Sequence, residues 1–165
     1  MAFDPWTAIT RVTASRLNGM TPKFKNWVPT WTTQTGNFLP SYGNADVNCR
    51  WAQSGDMVVA TFNLTCGTTT NIGGGGGADN FWWGLPVPAA VGGAALGFFY
   101  VFPSTNSVVP CLARSTADTS LFYLLVAGNW PTNQSNPSTG IIDAFTPIQW
   151  GAGTEVRGTL MYEAQ

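Results

Sequence analysis

Met57-Val58-Val59-Ala60-Thr61-Phe62-Asn63-Leu64-Thr65-Cys66 is the stretch whose reading decides the fold class. Val58, Ala60, Phe62 and Leu64 fall on one side of an extended chain, and Val59, Thr61, Asn63 and Thr65 on the other. A period of two matches a half-buried β-strand, whereas a helix would place its apolar residues three and four apart. Immediately upstream, Val47–Gln53 has the same β-rich character, and Ser54-Gly55-Asp56 between the two runs supplies the turn chemistry of a hairpin. Glu155–Glu163 repeats the pattern at the other end of the chain. There Val156, Gly158, Leu160 and Tyr162 oppose Glu155, Arg157, Thr159, Met161 and Glu163.

Working outward, further strands are expected at Val28–Thr33, Phe81–Leu85, Leu96–Phe102, Val108–Ser115, Ser120–Ala127 and Ile141–Phe145. Gly, Asn, Ser and Pro punctuate them at intervals of roughly 8–15 residues, with no long helical period after residue 26. The expected fold is mostly β, an antiparallel β-sandwich of jelly-roll-like form with an N-terminal arm. The arm occupies residues 1–26 and the sandwich residues 27–165. Within the arm, Thr13 can cap one short helix, Ala14 to Asn18, which Gly19 stops and Pro22 keeps from resuming. So short a helix needs a surface to rest on. Two stretches read as loops: Asn71–Asn80, with five consecutive glycines, and Asn129–Thr139, which carries Trp130. The glycine run leads into Phe81-Trp82-Trp83 and has neither the lysine nor the helix start of a phosphate cradle.

Composition bears on function. Charged residues are 9% of the chain, against about 25% in an ordinary soluble domain, while aromatics reach 13% with eight tryptophans. A surface so poor in charge is polar-neutral, or covered by partners, or both. Residues 1–25 hold Arg11, Arg16, Lys23 and Lys25 against Asp4, a net +3, and the remainder carries −4, which together give −1. A basic segment on an acidic body suits a docking arm, and it equally suits a solubilising end. As a docking arm its anchoring residues are Trp6, Arg11, Arg16, Leu17, Met20, Lys23 and Lys25. Candidate exposed contact aromatics, and candidate sugar platforms, are Trp82, Trp83 and Trp130, the last a sugar or partner contact or else a lid folded over the body.

Histidine is absent, which removes the commonest general base and the commonest zinc ligand. Both lysines lie in the arm, so a Ser–Lys pair in the body is excluded, and a cysteine nucleophile lacks its imidazole. Carboxylate chemistry remains: Asp56, Asp79 and Asp118 fall in expected turns, Glu155 and Glu163 on the solvent side of a strand, and Asp46 and Asp143 stay open. The reading is a protein that is not an enzyme and takes no cofactor or metal. Cys49, Cys66 and Cys111 are expected to be buried free thiols, because an odd count without a signal peptide makes no secreted disulfide framework. A pI near 5.0 argues against nucleic acid. The opening MAFDPW has no export signal, and no apolar run nears the ~20 residues of a membrane span.

The segment Val12-Thr13-Ala14-Ser15-Arg16-Leu17-Asn18-Gly19-Met20 resembles the Thr-Ala-x-x-Leu-Asn start of small fibre and minor structural proteins of tailed bacteriophages that infect actinobacteria. The resemblance continues through Val28-Pro29-Thr30-Trp31-Thr32-Thr33, through Gly55-Asp56 before a Val-rich strand, and through Leu85-Pro86-Val87-Pro88-Ala89-Ala90. It ends with Trp150-Gly151-Ala152-Gly153-Thr154 running into Gly158-Thr159-Leu160-Met161-Tyr162-Glu163-Ala164, where Gly153-Thr154 replaces the Gly-Asp of the family's final turn. The likeness implies a virion-surface component made in the host cytoplasm, often a homotrimer. Its N-terminal arm would fasten it to other virion proteins, the major capsid protein or tail proteins. A capsid decoration protein or short head fibre is the expected role, since a tail fibre needs a longer shaft. A tail-tip module binding host-surface glycan is the alternative.

Overall fold

A computed structural model describes residues 21–73, 79–104, 107–127 and 140–165. Ten strands follow in chain order: β1 (Lys25–Trp27), β2 (Trp31–Thr33), β3 (Asp46–Val47), β4 (Cys49–Ser54), β5 (Met57–Thr65), β6 (Phe81–Gly84), β7 (Ala95–Ser104), β8 (Ser107–Ser115), β9 (Leu121–Val126) and β10 (Glu155–Glu163). All pairings are antiparallel and join one sheet in the order β1-β4-β5-β10-β7-β8-β9-β6-β2, with β3 also on β5. Among the described residues no helix forms. The arm helix expected at Ala14–Asn18 lies outside the described residues.

The β4–β5 hairpin and the register of β10 follow the alternation in the sequence. Val58, Ala60, Phe62 and Leu64 are buried, as are Val156, Leu160 and Tyr162. The last strand runs from Glu155 to Glu163 as expected. Three expectations need correction. Ile141–Phe145 is not a strand: Ile141 makes one isolated bridge to Leu125, and the chain then turns about Asp143. The Asp143 carboxylate accepts the amides of Phe145 and Thr146, both at 2.7 Å, which holds the backbone out of a ladder. At the other end, Pro29 interrupts Val28–Thr33, so that only Trp31–Thr33 pairs there. Lys25 and Asn26, placed in the arm by the sequence reading, already belong to β1.

The two outermost strands of the path, β1 and β2, are separated in sequence only by Val28-Pro29-Thr30. Four chain steps span at most ~14 Å, so the two ends of the sheet must come close. The result is a single curled sheet, a half-barrel whose concave side is the core. Its seam is tied where the Tyr42 hydroxyl donates to the Pro29 carbonyl at 2.9 Å and the Tyr42 ring packs on Trp31 with centroids 5.3 Å apart. Curling lets residues of distant strands meet. Phe62 on β5 contacts Trp83 on β6 at 5.8 Å and Phe122 on β9 at 5.9 Å, both edge-to-face. Trp31, Phe81, Trp83 and Trp150 continue the cluster. Aromatic pairs of this geometry are each worth about 0.5–1.5 kcal/mol beyond the area they bury.

One transverse row explains how the interior is filled. Phe62, Gly158 and Phe99 lie side by side across β5, β10 and β7, and Cys111 follows on β8. Gly158 has no side chain, and the two phenyl rings meet edge-to-face, 5.5 Å apart. Large and small residues thus alternate along the row, which is how facing layers interdigitate without voids. Cys49 and Cys111 are small fillers of the same interior. All three cysteines are free and buried, in agreement with the sequence reading. Burial pushes the thiols of Cys49 and Cys66 up to about 11 and that of Cys111 up to about 12, so each stays protonated at neutral pH.

Candidate functional site on the outer face of the sheet

The convex side of the curled sheet carries the residues of opposite parity. On β7 these are Phe98, Tyr100 and Phe102, which stand across β10 from Thr159, Arg157 and Glu155. Leu112 on β8 pairs with Phe98, and Met161 and Val59 extend the patch over β10 and β5. Phe98 is 73% exposed, Met161 63% and Tyr100 48%. They line a shallow groove of about 750 Å3 whose floor is made by Gly97, Gly158 and Thr159. An aromatic strand with both faces apolar is unusual at a solvent-facing position, because an antiparallel sheet normally alternates apolar and polar residues. Contiguous exposed apolar groups of this kind mark contact surfaces.

One charged residue, Arg157, lines the groove, cross-strand from Tyr100. The Arg157 guanidinium lies 5.3 Å above the Phe102 ring and pairs with Glu155 at 2.5 Å. Being exposed, this pair contributes little to stability, about 0–1 kcal/mol. It does keep the arginine over the aromatic surface, where its guanidinium adds contact area.

The body's aspartates act on loops. Asp79 is buried and accepts the Thr35 amide at 2.8 Å and the Thr35 hydroxyl at 2.6 Å, fastening the segment after β2 to the entry of β6. Desolvation pushes its carboxyl upward, but these hydrogen bonds outweigh that effect and the pKa is lowered. Asp118 accepts the amide and hydroxyl of Ser120, and Asp143 holds the turn already described. Among the described residues no three His, Cys, Asp or Glu side chains gather into a metal-holding group.

The sequence-derived candidates separate as follows. Trp83 is fully buried at 0% exposure and belongs to the aromatic core, which corrects its assignment as an exposed contact residue. Its neighbour Trp82 points the other way, half-buried on the outer face opposite Tyr123. Of the anchoring residues, Lys23 is exposed, and Lys25 is in β1 with its ammonium 5.0 Å above the Trp51 ring. Trp6, Arg11, Arg16, Leu17, Met20 and Trp130 lie outside the described residues. Sequence reasoning missed Phe98, Tyr100 and Met161 as candidates. The available signal was Gly97-Phe98-Phe99-Tyr100-Val101-Phe102, a strand with aromatics on both parities, only one of which a single core can absorb. No family model, curated protein or solved structure matches the chain.

Proposed function

We propose that this chain is a non-enzymatic structural protein of a tailed-bacteriophage virion, a homotrimeric capsid decoration protein or short head fibre held by its N-terminal arm. The observation that carries the reading is the outer apolar face: Phe98, Tyr100 and Met161 stand exposed on the rigid centre of the sheet, on β7 and β10. A neighbouring subunit that covers about 800 Å2 per partner would remove them from water. The low charge content supports the same reading, because obligate contacts are depleted of charged groups at their centre. The expected jelly-roll-like β-sandwich, finer than the curled antiparallel sheet, belongs to this proposal too. A second reading, a tail-tip module recognising host-surface glycan, is favoured by Trp82 on the same outer face.

The attachment is tested with parent particles stripped of the protein, to which the full chain or a form lacking residues 1–24, which leaves β1 whole, is added. Immunogold electron microscopy should find the full chain on the heads, and the shortened form soluble, folded and unbound. Equal binding by both forms, or none by either, contradicts anchoring through the arm.

A further inference from the structure

Away from the groove over β7 and β10, the outer face has a second depression, about 620 Å3 in volume, between β6, β9 and the Gly92–Gly93 turn. Trp82 and Tyr123 are directly opposed across β6 and β9 and form its floor. Ile141, Gln34 and Thr116 make up the walls. None of the lining residues is ionic, and the neighbouring Arg114, cross-strand from Tyr123, donates to the Gly93 carbonyl through Nε at 3.2 Å and Nη2 at 2.8 Å.

Trp82 differs from the other described tryptophans. Trp27, Trp31, Trp83 and Trp150 each contact another ring, and Trp51 lies beneath the Lys25 ammonium. For Trp82 no ring or cation contact is found among the described residues; its indole N–H, like those of Trp31 and Trp83, is buried without a hydrogen-bond partner. Gln34 is held in place: the Asn80 amide donates to Gln34 Oε1 at 2.6 Å, which leaves the Gln34 NH2 group to donate elsewhere. A half-buried indole and a half-buried phenol on neighbouring strands, with an amide donor at the edge, give an apolar surface with polar groups at its margin.

From this geometry we infer that the Trp82–Tyr123 depression binds a neutral saccharide. A pyranose ring has an apolar face of C–H groups to lay on the indole and equatorial hydroxyls to meet the Gln34 amide and the Tyr123 hydroxyl. The nearby Arg114 guanidinium is already engaged by the Gly93 carbonyl and none of the lining residues is ionic, so the depression favours an uncharged ligand over a uronic or sialic acid. The site gives the glycan-binding reading a location, and it is independent of subunit association.

The test uses the full chain, labelled with 15N, and five probes: the methyl glycosides of glucose, galactose, mannose, rhamnose and arabinose, each titrated to high millimolar concentration. Indole N–H signals are assigned through single Trp→Phe variants. At least one glycoside should move the Trp82 indole signal in a saturable way while Trp83 and Trp150 stay still. Trp82→Ala should weaken that binding by about tenfold or more. Tyr123→Phe, which keeps the ring and the fold, should weaken it less. The variant Phe98→Asp should bind the same glycoside unchanged, since Phe98 lies in the other groove; loss there would tie binding to assembly and overturn the independent site. Absence of any saturable shift at Trp82 with all five glycosides overturns the inference, as does a shift that survives Trp82→Ala at full strength.

Discussion

Asp79 shows how much a single residue in this fold is asked to hold. Its carboxylate closes a contact between segments 44 positions apart through the two bonds from Thr35. Because its pKa is lowered in the folded protein, its contribution is complete above the unfolded carboxyl value near 4. That contribution is lost as pH falls through the lower, folded value. Asp79→Asn is therefore expected to lower stability at neutral pH by about 1–2 kcal/mol through weakened hydrogen bonds. It should also flatten the fall in urea midpoint below about pH 4. Wild-type and variant curves that fall in parallel with acid would remove this role. The sequence shows Asp79 only as a turn residue, since the partner that matters is distant along the chain. Trp82 and Trp83 illustrate the same boundary: alternation says that neighbours face opposite ways, but which of them faces inward depends on strands elsewhere.

At the scale of the strand, β5 and β10 were legible because each is long, alternates cleanly and is bounded by turn residues. The three-residue β1 and the bend at Ile141–Phe145 were not, the first because an edge strand so short carries almost no pattern. The second was hidden because Asp143 competes for the backbone through its side chain. Gly158 reads in the sequence as a weak point of β10, and the structure gives it a purpose beneath the rings of Phe62 and Phe99. A methyl group there would collide with the Phe99 ring. Gly158→Ala should cost about 1–3 kcal/mol. Part of that loss should return in the double variant Gly158→Ala/Phe99→Leu, because contacting residues couple. Denaturant unfolding of the four proteins gives the coupling, and strictly additive effects would show that the glycine is not there to make room for the ring.

For the whole molecule, the sheet starts and ends on one short stretch of chain, so the polypeptide bends into a half-barrel with Trp31, Phe62, Phe81, Trp83, Phe99, Phe122 and Trp150 inside. That much of the architecture, a mostly β antiparallel body, could be read from alternation and turn spacing. The curl could not, since it follows from which strands pair across long separations. What the core does not absorb is the second set of aromatics on β7 together with Met161, and the functional reading depends on what covers them. Light scattering of the purified full chain measures this directly, with Phe98→Asp as the comparison. The expected result is a particle of three times the 17.6 kDa chain mass, reduced to single chains by the aspartate. Wild-type protein that stays at 17.6 kDa across the micromolar range, with Phe98→Asp indistinguishable from it, would contradict a subunit interface on the outer face.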